Sequence, residues 1–334
     1  RGLGDVYKRQ QHKNGIKRKL QYIISSHSSH IVSDCDFDDI KYLTHPICDG
    51  SVERNAVIAK NLKVLQNEYD DDHKHYFAFL KQYLTLNRSE LFFADKAIFI
   101  EGDTERMLLP AMMKKIDQEC ELEGNEEFLM SQNISIVEVG AYSHIFEKFL
   151  RFIGLRKCLV ITDIDCCKPV TKRDKNGKER KYIEKTKYDA TDDSLVTSNA
   201  SIKYFLNNTQ KVKDILAMHP AILSWNFENK KWETDEKGYL RLAFQYGKKT
   251  YQPRSFEDAF FSENEKFITE NTFSSLQSNS LEQFKSDKDA YELANNGVSG
   301  KSSLAIEILL NSKKEGACDF SNWKIPTYIK EGLL

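Results

Sequence analysis

The chain has 334 residues, 40% hydrophobic and 11% aromatic, a composition that excludes a disordered chain and suits one large or two ordinary domains. Its formal net charge of −1 excludes a globally basic nucleic-acid binder, so any such surface has to be local. No apolar stretch reaches the roughly 20 residues that span a bilayer, and the N-terminus lacks the apolar core of a secretory signal, so a soluble, cytoplasmic protein with no membrane partner is expected.

In chain order, the opening RGLGDVYKRQ does not begin with Met and reads as a truncated or foreign leader, so a fragment of a longer chain is expected. Residues 21–29, QYIISSHSS, read as a buried strand running into a polar turn that bears His27. Residues 51–93 carry Leu62, Leu65, Tyr69, Tyr76, Leu80 and Leu84 at helical spacings and read as a helical connector. From Lys96 a β-α-β-α-β order follows: strand 96–101, helix 104–119, strand 134–139, helix 142–153, strand 158–163. This alternation predicts an α/β fold with an open, mainly parallel sheet flanked by helices and joined by right-handed crossovers. Pro110 lies inside the first helix and is expected to bend it.

Residues 168–251 read as irregular: a basic loop, a helix start in TSNASIKYFL (197–206), and a stretch around Trp225 and Trp232. An inserted basic and helical region, about 168–250, is expected here and not a separate domain. Beyond it, a helix starts at Ser255 with Glu257 and Asp258 in its first turn, the electrostatically favoured place for acids, and an apolar helix covers 302–310. The segment NGVSGKS (296–302) is not a P-loop: Asn295 stands where the first glycine is required, and the preceding KDAYELAN is polar and helix-like where a strand is needed. Lys301, at the mouth of a helix, remains a point charge suited to phosphate. Seven cysteines (35, 48, 120, 158, 166, 167, 318) contain no CxxC pair and suggest neither a zinc site nor a disulfide framework.

The chemistry concentrates at two strand ends. In KAIFIEGDTE (96–105) an apolar run ends at Glu101, Gly102 permits a sharp exit, and Glu105 sits one turn into the next helix. In CLVITDID (158–165) a second run ends in Asp163 and Asp165, whose alternate spacing on a strand turns both side chains the same way. Ligands bind outside the carboxyl ends of strands in open α/β sheets, so four carboxylates are placed to converge there, and hard divalent cations take such oxygen ligands. Residues 168–187 add nine basic side chains, Lys168, Lys172, Arg173, Arg180 and Lys181 among them, against three acids. Two readings stand side by side for this run: a solvated loop, or a surface that holds a polyanion beside the acidic strand ends.

IEGDTERMLLPAM, the DID strand end, PRSFEDAF, GKSSLAIEIL and the closing WKIPTYIKEGL, in this order, resemble the Toprim domain and, more closely, the OLD (overcoming lysogenization defect) family of ATP-dependent endonucleases. YIISSHSSHIV is similar to the tail of that family's ABC-type ATPase domain, in which His27 would be a switch remnant. The resemblance implies a terminal ATPase remnant with leader at 1–50, the connector at 51–93 and a Toprim nuclease domain at 94–334. It implies a metal-dependent DNA endonuclease from phage defence or DNA processing, without ATPase activity of its own. ATP and a homo-oligomer belong to the longer protein, whose N-terminal ATPase domain is the missing partner. It places Glu101, Asp163 and Asp165 around one Mg²⁺ or Mn²⁺, Glu105 and Glu257 toward a second, and Lys301 beside the scissile phosphate; Glu101 is alternatively the base for the attacking water. Asp258 competes with Glu257. A two-ion arrangement about 4 Å apart suits phosphodiester hydrolysis, whose transition state gains negative charge. Rival readings are a topoisomerase- or primase-like Toprim enzyme, for which no marked tyrosine or zinc cluster is present, and a noncatalytic interaction module.

Overall fold

The computed structural model describes residues 23–334 apart from 46, 49–50, 53–54, 70–73, 87–88, 123, 125–127, 156, 174–177, 219–223, 227–230, 234–239, 248–250 and 317. The leader at 1–10 and the first two residues of the expected strand at 21–29 lie outside the described residues. The chain divides into two units, one reaching Ala94 and including Lys148–Gly154, the other comprising Asp95–Glu147 and Leu155–Leu334.

In the first unit, helix α1 (Ser29–Ser33) leads to strand β1 (Lys41–Thr44), the short hairpin β2 (Ile47–Cys48) and β3 (Ser51–Val52), and β4 (Ile58–Asn61), which pairs antiparallel with β1. A 3-10 stretch, Leu62–Glu68, and helix α2 (Lys74–Leu86) bury Leu62, Leu65, Phe77, Leu80 and Leu84 on a core with Phe37 and Phe92. The helical spacing read at 62–84 is therefore present, with a β pair ahead of it. The strand expected at 21–29 is not formed over 23–28, and Ile23 and Ile24 are 90% and 63% exposed. A short apolar run becomes a strand only where a neighbouring strand takes its hydrogen bonds, and among the described residues none does so here.

The second unit is built on six strands in the order β12-β11-β13-β7-β5-β6: β5 (Lys96–Ile100), β6 (Ile134–Glu138), β7 (Lys157–Ile161), β11 (Ser224–Asn226), β12 (Lys231–Glu233) and β13 (Leu240–Ala243). β13, β7, β5 and β6 run parallel, and β11 and β12 add an antiparallel edge. β5 and β7 are buried along nearly their whole length, as strands covered on both faces must be, whereas β6 alternates. The mainly parallel sheet flanked by helices is thus as the alternation predicts. Between β5 and β6 the chain forms α3 (Asp103–Leu122), which runs on through Pro110, and between β6 and β7 a 3-10 stretch, Gly140–Phe146, followed by α4 (Glu147–Ile153), most of which belongs to the first unit.

The stretch expected to be irregular contributes more than an insertion. Its basic run is a regular antiparallel hairpin, β8 (Cys166–Arg173) with β9 (Glu179–Lys185), extended by β10 (Val196–Thr197), and it is followed by α5 (Ala200–Phe205) and α6 (Val212–Ala217). Its last residues form β13, the fourth parallel strand. LRLA is too short to signal a strand alone; it becomes one because β7 offers an open edge on that side.

Helices α7 (Phe256–Glu263), α8 (Glu265–Glu270), α9 (Ser278–Asp287), α10 (Ala290–Glu292), α11 (Lys301–Leu310) and α12 (Thr327–Leu333) follow. Phe256, Phe260 and Phe261 of α7, Leu304 and Ile308 of α11, Ile329 of α12 and the Leu108–Ile116 face of α3 close one core on Ile98, Ile100, Leu159 and Ile161 of the sheet. Burying a side chain of this size stabilises by about 1.5–3 kcal/mol. No helix among the described residues is long and apolar enough to cross a membrane.

Helix α12 lies so close to the sheet that a Cβ on Gly332 would sit 3.0 Å from the Ala243 Cβ and 3.1 Å from the Leu159 Cδ1. Gly332→Val is expected to destabilise the protein by about 1–3 kcal/mol through overpacking, read as a lower urea midpoint; an unchanged midpoint contradicts this packing.

Candidate active site

The carboxyl ends of three adjacent strands, β5, β7 and β13, deliver Glu101, Asp163 and Gln245 to one place. Glu101 follows β5 directly. Its Oε1 accepts hydrogen bonds from the Thr162 hydroxyl, from the Asp163 amide at 2.9 Å and from the Asn199 Nδ2 at 2.7 Å. Asp163 is 7% exposed and its Oδ1 accepts from the Gln245 Nε2 at 2.6 Å. Gln245, fully buried, also accepts from the Ile164 amide at 2.8 Å and reaches the Tyr328 hydroxyl of α12 at 3.1 Å. Each carboxylate thus uses one oxygen to anchor itself; the Glu101 Oε2 and Asp163 Oδ2 accept no hydrogen bond among the described residues.

Glu105, in the first turn of α3, is buried beside them. Glu257, in the first turn of α7, is 3% exposed, accepts from the Thr104 hydroxyl at 3.3 Å and pairs with the Lys301 Nζ at 3.0 Å. Helix α7 starts here because Ser255 caps it, its Oγ accepting from the Asp258 amide at 3.4 Å. Consecutive helical residues point about 100° apart, so Asp258 leaves the cluster: it accepts from the Tyr251 hydroxyl and, at 2.9 Å, from the Arg254 amide. Burial pushes the Asp258 carboxyl up to about 6 despite those bonds.

The two acids of the DID run are not strand neighbours, contrary to their spacing. β7 ends at Ile161, and Asp165 takes a left-handed backbone, φ +50°, which aspartate tolerates better than most residues. The turn is held by Asp165 N–H donating to the Arg254 carbonyl, by Ser198 N–H donating to the Asp165 carbonyl, and by the buried Arg254 guanidinium 3.0 Å from Asp165 Oδ1. Gly102, expected to permit a sharp exit from β5, lacks a positive φ, and a Cβ there would make only ordinary contact, 3.8 Å from Glu105 Oε2. An alanine there would meet only this ordinary contact.

Burial and mutual repulsion set the electrostatics. Asp163 is held well above the usual carboxylate range by burial and then by Glu101, Glu105, Glu257 and Asp165. Burial and Glu257 push Glu105 up to about 8. Glu101 is raised by burial, against the pull of the hydrogen bonds from Thr162, Asp163 and Asn199. At Lys301 desolvation works against the charge, but Glu257, Asp163 and Glu105 outweigh it and hold the amine above its ordinary value. Glu101, Glu105, Asp163, Asp165, Glu257 and Lys301 therefore occupy one electrostatic neighbourhood. Among the described residues no three of these acids, nor any other His, Cys, Asp or Glu group, are drawn together closely enough to form a ready metal site. The donor set, all carboxylate oxygen with several oxygens unused, nonetheless has the chemistry a hard divalent cation requires.

The basic residues lie elsewhere on this unit, on the exposed hairpin. Cross-strand pairs put Lys168, Lys172 and Arg180 on one face with Tyr182, and Arg173 and Lys181 on the other. Lys168 pairs with Asp192 at 2.7 Å, Lys172 with Glu184, and Arg173 with Glu179 at 3.6 Å, pairings that an exposed surface makes weak. Lys175 lies outside the described residues. His27 is exposed in the first unit. Thr162, Asn199, Gln245, Arg254 and Tyr328 escaped the sequence reading. Asn199 had a local signal, as the cap of the helix foreseen in TSNASIKYFL, and Thr162, Arg254 and Tyr328 lie within stretches already singled out, CLVITDID, PRSFEDAF and WKIPTYIKEGL; uncharged Gln245 had none.

Because the folded Glu105 carboxyl titrates near 8 and the unfolded one near 4.5, its contribution to stability is present below pH 4.5 and is lost as pH rises through about 8. Without divalent metal, Glu105→Gln is expected to flatten the fall in melting temperature across that window; an equally steep fall in the variant counts against this environment.

Residues 92–165 match the family described as "Overcoming lysogenization defect protein-like, TOPRIM domain". The chain is 26% identical over 333 residues to "Endonuclease GajA" of Bacillus cereus (strain HuB5-5), covering 94% of this chain and 42% of that protein, so it spans well under half the length of this relative. Among solved structures, the "C-terminal region of the Burkholderia pseudomallei OLD protein" aligns over 72% of this chain and 96% of that one, with 18% identity and a TM-score of 0.36. The β-α-β-α-β segment with its acidic strand ends is thus the part of the chain that matches the OLD-like Toprim family.

Proposed function

We propose that this chain is the nuclease portion of a larger OLD-type protein and hydrolyses DNA phosphodiester bonds with the help of Mg²⁺ or Mn²⁺. The observation that carries this reading is the meeting of Glu101, Glu105, Asp163, Asp165 and Glu257 in one electrostatic neighbourhood at the ends of adjacent parallel strands. Five buried or half-buried acids repel one another at a cost in stability that Lys301 and Arg254 offset only at Glu257 and Asp165, which favours a bound cation among the rest.

In this reading Glu101, Asp163 and Asp165 hold one cation and Glu105 and Glu257 a second. Bound Mg²⁺ or Mn²⁺ supplies charge stabilisation at the scissile phosphate and lowers the pKa of the attacking water. Lys301, exposed at the mouth of α11, exchanges Glu257 for a phosphate oxygen as DNA arrives and neutralises developing charge as a point cation. As an alternative to binding the cation, the Glu101 Oε2, which accepts no hydrogen bond among the described residues, would accept the proton of the water. Asp258, turned toward Tyr251 and Arg254, takes no part. The hairpin face of Lys168, Lys172 and Arg180 around Tyr182 meets the DNA backbone. The 26% identity to an endonuclease supports the reaction class. Control by an ATPase domain elsewhere in the longer protein, assembly of several copies, a cytoplasmic setting and a role in phage defence or DNA processing belong to the same proposal.

Glu101→Ala and Asp163→Ala are expected to abolish Mg²⁺- or Mn²⁺-dependent nicking of supercoiled plasmid, with EDTA stopping the parent protein; full cleavage by either variant sinks the proposal. Neutralising Lys168, Lys172 and Arg180 together is expected to weaken DNA binding and to flatten its log–log salt dependence by about 0.9 for each phosphate that is no longer neutralised. An unchanged salt slope would return the hairpin to a merely solvated surface.

A further inference from the structure

We propose that Asn199 is a positioning residue that turns the Glu101 carboxylate outward, toward the divalent cation assigned above; the inference rests on that reading of the site. Asn199 is 1% exposed and every polar atom of its side chain is engaged. Its Nδ2 donates to the Glu101 Oε1 at 2.7 Å, the Thr162 Oγ1 at 2.8 Å and the Asp163 carbonyl at 2.9 Å. Its Oδ1 accepts from the Ile202 amide at 3.0 Å and caps α5, and its own amide donates to the Thr197 Oγ1 at 3.0 Å.

Two hydrogens facing three acceptors bind the end of β5 and the turn after β7 to one side chain. Glu101 is affected most. Three donors converge on Oε1, fixing the plane of the carboxylate and leaving Oε2 as the oxygen available to a ligand. The donor's lack of charge is chemically apt, because a lysine or arginine here would neutralise the carboxylate and compete with the cation, while an amide orients it and leaves its charge in place. The amide is itself held from both sides: β10, which Asn199 follows, pairs with β8, and the side-chain oxygen caps α5.

The capping role and the orienting role separate by substitution. Asn199→Ser keeps an oxygen that can cap α5 but is too short to reach Glu101, whereas Asn199→Ala loses both functions. In calorimetric titration of the full chain with Mn²⁺, Asn199→Ser is expected to lose about 10–100-fold in affinity, as supporting hydrogen bonds to metal ligands usually do when removed. Its melting temperature without metal should fall less than that of Asn199→Ala, because the cap of α5 is kept, and its DNA affinity in EDTA should not change. Asn199→Ala should show the same loss of affinity together with a lower melting temperature. Parental Mn²⁺ affinity in the folded Asn199→Ser variant overturns the proposal. If that variant does not fold, Thr162→Val, which removes the hydroxyl bridging Asn199 and Glu101 and leaves the cap intact, gives the same two-way reading. A parent chain that neither binds Mn²⁺ nor cuts DNA fails the metal-nuclease reading itself, a result distinct from a parent that binds and a variant that binds equally well.

Discussion

Like charges buried beside one another govern this molecule. Asp163, Glu105 and Glu101 are pushed up by burial and by their neighbours, Glu257 and Asp165 included, so the cluster opposes folding whenever its members ionise. Among the described residues, Lys301 is the cation that the fold sets against Glu257 at hydrogen-bond distance. Arg254 meets Asp165 at 3.0 Å, and Glu101 and Asp163 are supported by neutral donors, Asn199 and Thr162 at Glu101 and Gln245 at Asp163. Such groups orient carboxylates without discharging them, and the site keeps its negative potential.

The sheet makes this arrangement possible. Parallel strands bring all their carboxyl ends to one edge, so three neighbours place three side chains at one location although nearly 150 residues separate Glu101 from Gln245 in the chain. Gln245 follows β13, and α12 packs so closely on this strand that a Cβ on Gly332 would be 3.0 Å from Ala243, while it brings Tyr328 to the Gln245 amide. The C-terminal helix is therefore part of the support of Asp163. On the other side β10 and α5 carry Asn199 in, so residues after the basic hairpin are bonded to the end of β5. The stretch that interrupts the β-α order in sequence supplies the supports on both flanks of the acids.

Asp165 and Asp258 show what each turn decides. Asp165 shares the DID run with Asp163, yet a left-handed backbone and the buried Arg254 carry it off the strand and partly satisfy its charge. Asp258 adjoins Glu257 in the chain, yet one helical step turns it to Tyr251. In both pairs the residues are chemically alike, and only backbone direction tells them apart.

The sequence by itself was sufficient for the β-α-β-α-β order, the mainly parallel sheet and the two acidic strand ends, because apolar runs of strand length and helical periodicity are local signals. It also excluded a P-loop at 296–302, since that motif has a fixed local spacing. Only the tertiary structure decided that residues 23–28 form no strand, that the basic run is a hairpin, that LRLA is the fourth parallel strand, and that Glu257 but not Asp258 faces the cluster. Those features depend on partners remote in the chain: a strand needs a neighbour to take its hydrogen bonds, and an uncharged amide becomes part of a site only when folding sets it against a carboxylate.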